Sequence, residues 1–225
     1  MPNQLRFLIV VVVALLVAAT FTFPLWRVPP EFETISDELP GLSAALQADF
    51  DDLPRAIQTI YRLMARENPS MAQLMVEARL RPPDPLNEEM PDISNAQEVR
   101  SGRFQPLTLT EEERRADPDA ELPPYNALFA ADGDLFVYAY PDDRYLFRIE
   151  EFIITNGPDL VLILSNTQKP LSADQFGRDY IEIAPLRSNI GNMNYELRDI
   201  NINDYRSLVI YDRRYNMIYA FAPLG

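Results

Sequence analysis

From Phe7 to Trp26 the chain carries no charged residue, and Arg6 and Arg27 bracket the stretch. As a helix rising 1.5 Å per residue, a run of this length spans about 30 Å, the thickness of a bilayer's hydrocarbon. The run therefore predicts an uncleaved transmembrane anchor, with Val10 to Val13 and Leu15-Leu16 at its centre and Trp26 at the interface. A cleaved signal peptide is the rival reading, with Val17-Ala18-Ala19 as a small-residue site, but Phe21, Phe23, Leu25 and Trp26 carry the apolar run beyond it. Arg6 and the N-terminal amine face Arg27 across the segment, so the positive-inside count is nearly balanced. A short internal tail with the bulk exported is the simpler arrangement. It places the protein in the cell membrane as a single-pass chain with an extracytoplasmic C-terminal part.

The rest of the composition narrows the chemistry. Cys and His are both absent, which excludes disulfides, thiol nucleophiles, Cys/His zinc sites, Ser-His-Asp triads and haem held by either residue. Twenty basic residues against 34 acidic ones give a net charge of −14, a poor surface for nucleic acid, whose phosphates need clustered Lys and Arg. No Gly-rich phosphate loop, GxSxG elbow or dinucleotide fingerprint occurs, and no pair of carboxylates stands out for glycosidase chemistry. No catalytic residue, no cofactor and no enzymatic activity are expected.

Proline is uneven: 15 of the 20 fall in residues 1–124, so the two halves differ in architecture. Pro29, Pro30 and Pro40 with Glu31, Glu33, Asp37 and Glu38 predict a stiff, solvated stalk over residues 28–51. Two helices are predicted within 52–81. The first has Ile57, Ile60, Tyr61 and Met64 at helical spacing; the second is capped by Asn68 and carries Met71, Leu74, Met75 and Ala78 on one face until Pro82-Pro83 stops it. The Pro, Asp and Glu of 82–98 predict an extended, weakly ordered linker. Thr110 to Leu122 reads as an acidic insertion, with Glu111-Glu112-Glu113 as a solvated loop or helix start.

After residue 124 helical periodicity gives way to short alternating runs. Phe136 to Tyr140 and Tyr145 to Ile149 flank Pro141-Asp142-Asp143 as a hairpin. Further strands are predicted at Phe152–Thr155, Val161–Ser165, Tyr180–Ala184, Asn194–Leu197, Ser207–Tyr211 and Met217–Phe221. The fold class is mainly β: a C-terminal antiparallel β-sandwich preceded by the transmembrane helix and the helical hairpin. Asp159, after the turn pair Gly157-Pro158, either bonds local backbone amides or serves as a calcium ligand, with Asp132, Asp134, Asp142 and Asp143 as possible co-ligands. Gly191 fits a connection needing positive φ. Tyr211, Tyr215 and Tyr219 around Asp212-Arg213-Arg214 form either a contact surface or ordinary strand packing.

Several ordered motifs resemble the DM13 domain over residues 99–225. They are Ser101-Gly102-Arg103-Phe104, Asn156-Gly157-Pro158-Asp159-Leu160 before Val161 to Ser165, Tyr180 to Leu186, Asn189 to Leu197, Tyr205 to Tyr211, and Ala222-Pro223-Leu224. The positions that carry the resemblance include Gly157, Pro158, Asp159, Gly191, Asn192, Asn194, Tyr195, Tyr211 and Asp212. It implies a β-sandwich for which a part in electron transfer has been proposed, leaning on a cysteine after the penultimate strand. The matching position is Asp212, and a carboxylate cannot cycle through thiol, sulfenate and disulfide states. The functional expectation is a membrane-anchored binding or interaction module with a protein partner. The alternative is an accessory electron-transfer module that works beside a cofactor-bearing partner.

Overall fold

The computed structural model describes residues 38–116, 118 and 121–225. The expected transmembrane anchor and the first part of the expected stalk lie outside these residues; among the described residues no helix is long and apolar enough to cross a membrane. Contacts divide the chain into Met1–Glu38 and Leu39–Gly225, and every element below belongs to the second unit.

Three helices open it. Ser43 caps α1 (Ala44–Asp51), accepting from the Leu46 N–H at 3.3 Å. In α2 (Arg55–Glu67) Tyr61, Met64 and Ala65 are buried on one face. Gln58 points inward as well, and its Nε2 donates to the Asp51 and Leu53 carbonyls at 2.8 and 2.7 Å, stitching the α1–α2 turn. Asn68 caps α3 (Pro69–Arg79), whose Pro69 suits a first helical position. The buried residues of α3 are Ala72, Met75, Val76 and Ala78, so the inward face is rotated from the expected one; Leu74 is only half-buried and Met71 packs at the edge.

The described part of the expected stalk is a correction. Residues 44–51 are helical, Leu39 is buried, and Phe50 is fully buried with its ring edge-on to Tyr61 at 6.2 Å. The polar residues around Phe50 hide one strong apolar anchor, which docks because α2 follows after a tight turn. The 82–98 segment is extended, as its composition predicts, but it is firmly tied. Leu86–Asn87 forms a short strand, β1, parallel to Gly191–Asn192. Ser188 Oγ donates to the Asp84 carbonyl at 2.6 Å, and Glu88 takes both terminal nitrogens of Arg187 at 2.6 and 2.9 Å and the Asn194 N–H at 2.7 Å.

Two sheets follow. One has the order β1-β7-β4-β3-β2, with β2 at Gln97–Arg103, β3 at Ala131–Ala139, β4 at Arg144–Ile154 and β7 at Ile190–Arg198. The other has the order β6-β5-β8-β9, with β5 at Leu160–Ser165, β6 at Ile181–Pro185, β8 at Ser207–Asp212 and β9 at Met217–Pro223. All pairings except β1–β7 are antiparallel. Strand β2 escaped the sequence reading because its Gln97–Arg103 run is mostly polar and only half-buried. Phe152–Ile154, expected as a separate strand, continues β4 past a bulge at which Glu151 takes φ 48° and donates its N–H to Asn192 Oδ1 at 2.9 Å. The Glu111 run begins a short helix, α4 (Glu111–Ala116), fastened by the single lysine: Lys169 Nζ lies 2.6 and 2.8 Å from the two Glu113 oxygens. That contact, with Thr110, holds the Glu113 carboxyl down to about 2.

The sheets share one apolar core. Val137, Phe147 and Ile149 from the first join Leu162, Leu164, Leu208 and Ile210 from the second, and Tyr61, Met75 and Val76 of the helices belong to the same cluster. The outer face of β5 and β8 is also apolar, and Val161, Ile163 and Val209 pack there with Leu107, Phe176 and Phe221. The helices are thus part of the core. Phe50→Ala should destabilise the chain by about 3–4 kcal/mol, the usual cost of deleting a buried aromatic ring; urea unfolding monitored by circular dichroism measures it, and a cost below about 1 kcal/mol would return residues 44–51 to a stalk role.

Candidate functional site

The positions singled out in the sequence fall into two groups. Gly191, Asn192, Asn194 and Tyr195 lie along β7, where they hold the 84–89 segment. Gly191 takes φ +114°, and an added Cβ would stand 2.1 Å from the Leu86 carbonyl oxygen, so close backbone approach requires glycine there. Asn194 Nδ2 donates to the Glu89 carbonyl at 2.9 Å, and its Oδ1 accepts from the buried Arg148 guanidinium at 3.1 Å. Tyr195 Oη accepts from the Arg187 N–H at 3.1 Å, and the Arg187 guanidinium covers the tyrosine ring at 4.5 Å. Arg187 also donates to the Asn194 carbonyl.

The second group gathers around the β8–β9 turn. Asp212 is completely buried. Its Oδ1 accepts from the N–H groups of Arg214 and Tyr215 at 2.9 and 3.0 Å, and its Oδ2 accepts from the Asp159 N–H at 3.2 Å. One carboxylate therefore closes its own turn and ties it to the Asn156–Leu160 loop. Burial pushes the Asp212 carboxyl up from its ordinary value, and the three amide donors oppose part of that rise. Tyr211 packs edge-on to Phe176 at 5.2 Å and donates to Asn216 Oδ1 at 2.6 Å.

Asp159 does not bond local amides through its side chain: its carboxylate receives Arg213 Nε and Nη2 at 3.2 and 3.0 Å. Asp132 and Asp134 pair with Arg103 at 2.8 and 3.0 Å. Asp159, Asp132 and Asp134 are thus each paired with a guanidinium, and among the described residues no group of three or more acidic side chains is placed to hold a metal ion. The Tyr211–Tyr219 surface also dissolves, because Tyr219 is buried at 1 % exposure.

At Tyr219 sequence reasoning missed the surroundings of the hydroxyl. The Tyr219 ring stacks on Phe129 at 3.8 Å and 20°, yet its hydroxyl has no hydrogen-bond partner among the described residues. Burial raises its pKa well above the phenolic value, and nearby Asp212 adds to the rise. Gly157 lies directly over this hydroxyl: an added Cβ would stand 2.8 Å from Tyr219 Oη and 2.6 Å from Leu160 Cδ2. The only sequence signal was Tyr219's alternation in a strand, which says nothing about what its oxygen meets.

On the other side of Gly157 is a cleft of about 310 Å³ between the Asn156–Leu160 and Pro185–Asn189 loops, closed by Arg81, Pro82 and Asp84 after α3. Its volume lies at the lower end of the range for small-ligand sites. A larger hollow of about 700 Å³ between Pro106–Leu109 and Leu122–Ala127 has Phe129 in its lining but none of Gly157, Asp159, Gly191, Asp212 or Tyr219.

A family model described as "Electron transfer DM13" matches residues 130–224. This stretch is a DM13 domain. No curated protein and no solved structure matches the chain. In the structure the DM13 stretch takes β2, from outside the matched residues, into its first sheet, and the helices into its core.

Asp212→Ala should cost about 2 kcal/mol or more, because buried N–H donors lose their acceptor. The raised carboxyl gives the pH dependence its sign: Asp212's contribution is fully present below the ordinary value of 3.8 and declines as pH rises through the raised one. Urea unfolding at several pH values should then show the wild type gaining on Asp212→Asn as the solution is acidified through that window; a pH-independent gap would contradict the assignment. Tyr219→Phe should leave stability unchanged or raise it by about 1 kcal/mol, since a buried hydroxyl without a partner is lost at no cost. A marked loss of stability in thermal unfolding would mean that the hydroxyl has a partner.

Proposed function

We propose that this chain is a membrane-anchored extracytoplasmic recognition module, with no catalytic role of its own, whose DM13 domain offers the cleft beside Gly157 as its contact surface. The observation that carries this reading is the environment of Asp212. Where the family resemblance places a cysteine, this chain has a buried carboxylate saturated by three backbone amides. Such a group holds two loops together and has no accessible redox state. The Asn156–Leu160 loop forms one wall of the cleft, so the same residue that removes thiol chemistry anchors one end of that wall at Asp159. The uncharged Phe7–Trp26 run supports the membrane setting through its length and apolar composition.

Electron transfer is the second reading, favoured by the family description and by the stack of Tyr219 on Phe129. A phenol that gives up an electron must also shed its proton, and the Tyr219 hydroxyl has no acceptor among the described residues. Its buried site disfavours the charged form strongly. An anaerobic titration of the purified full chain with dithionite and then ferricyanide decides between the two. No stoichiometric uptake or release of electrons is expected, and a couple of one electron per chain would replace the recognition reading with the electron-transfer one.

A further inference from the structure

The cleft beside Gly157 contains donors that the fold does not use. Arg187, Ser188 and Asp159 line it but are committed: Arg187 to Glu88, Ser188 to the Asp84 and Ile190 carbonyls, Asp159 to Arg213. The Arg81 guanidinium and the Asn156 side-chain amide line it with no side-chain partner among the described residues. Asn189 reaches only the Ile154 carbonyl, at 3.5 Å. Behind Gly157 stands the Tyr219 hydroxyl, buried and likewise unpartnered. Buried polar groups are almost always satisfied, so an orphaned one beside a cleft calls for a ligand or a second state of the loop.

The loop is built to allow that second state. Thr155 is held by the Ala130 carbonyl and Asp159 by Asp212, but Asn156 and Gly157 make no hydrogen bond between those two ties, and Pro158 has no N–H to give. Displacing Gly157 by about an ångström or two, a typical loop adjustment on binding, would bring Tyr219 Oη to the cleft. Arg81, Asn156 and Tyr219 can then each turn an N–H or O–H donor to the cleft, with the permanent positive charge of Arg81 among them; the Asn amides also carry an acceptor oxygen, but the guanidinium sets the sign of the site. Their complement is an anion rich in acceptors. Asp84 is the one carboxylate in the cleft without a side-chain partner, and it favours a ligand that also carries a donor, such as a hydroxyl or ammonium, beside its anionic group.

We propose that the cleft binds an oxyanion, a carboxylate or phosphate group, held by Arg81 and the Asn156 amide and completed by the Tyr219 hydroxyl when Gly157 gives way. The proposal rests on the cleft being the contact surface and names what that surface takes. The test is thermal unfolding of the full chain at fixed ionic strength, with chloride replaced stepwise by acetate or by inorganic phosphate. A ligand that binds only the folded state raises the melting temperature saturably. The expected result is such a rise, with the apparent affinity reduced about fivefold or more in both Arg81→Gln and Tyr219→Phe. Arg81→Gln changes an exposed side chain that makes no hydrogen bond among the described residues. A rise with acetate alone assigns a carboxylate ligand, and a rise with phosphate alone assigns a phosphate. No rise, a rise of equal size in all three proteins (the general effect of an excluded anion), or a Tyr219→Phe protein that responds as the wild type does would each overturn the proposal. Electron uptake in the redox titration would remove the recognition reading while leaving this result standing, so the two can fail separately.

Discussion

Strands β5 and β8 have no polar face. Val161 to Leu164 and Leu208 to Ile210 are apolar at every position, and all seven side chains are buried. Side chains alternate across a strand, so such a pair must be covered on both sides. The first sheet covers one side and the Leu107, Phe176 and Phe221 cluster covers the other. Much of the unusual architecture follows from that demand. The 105–109 segment bridges to Phe221 and brings Leu107 across the outer face, and the loop after β5 carries Phe176 back over it. At about 25 cal/mol per Å² of apolar surface removed from water, closing both faces is strongly favourable.

The polar interactions decide where the loops around that core are fixed. Arg148 is buried on β4 and donates to Glu150, to Asn194 on β7 and to the Glu88 carbonyl immediately after β1. Asp212 does the same at the other end, joining the β8–β9 turn to the loop before β5. Removing either charge strands its partners in a low dielectric, which is why single buried ions like these act as fixed points. Between those points the Asn156–Pro158 stretch is comparatively unconstrained. The cleft therefore has a rigid frame and one adjustable wall, a combination suited to recognition.

Much of the fold is legible in the residues. The hairpin around Pro141-Asp142-Asp143, the continuous apolar run of β5 and the Asn68-Pro69 helix start are local features, each set by neighbouring side chains. What failed shares a cause. Residues 44–51 looked solvated because Phe50 is one apolar side chain among polar ones, and its burial depends on Tyr61 arriving from the next helix. The 82–98 segment looked loose because its partners, Arg187, Ser188 and Asn194, lie about a hundred residues away. Composition reports what a segment can do alone, not what a distant strand will offer it.

The candidate site divides along the same line. The sequence by itself determined the absence of thiol and imidazole chemistry, the apolar first segment, the mainly β second half, the DM13 motifs and the acid at position 212, because each is a matter of residue identity or short-range pattern. Only the tertiary structure decided that this acid is a buried clamp, that Asp159, Asp132 and Asp134 are each spent on an arginine, and that the Tyr219 hydroxyl stands behind Gly157 with no partner among the described residues. A side chain's charge state and free valences depend on what surrounds it in space, and those neighbours are assembled from strands and loops that the chain brings together only when both faces of β5 and β8 are closed.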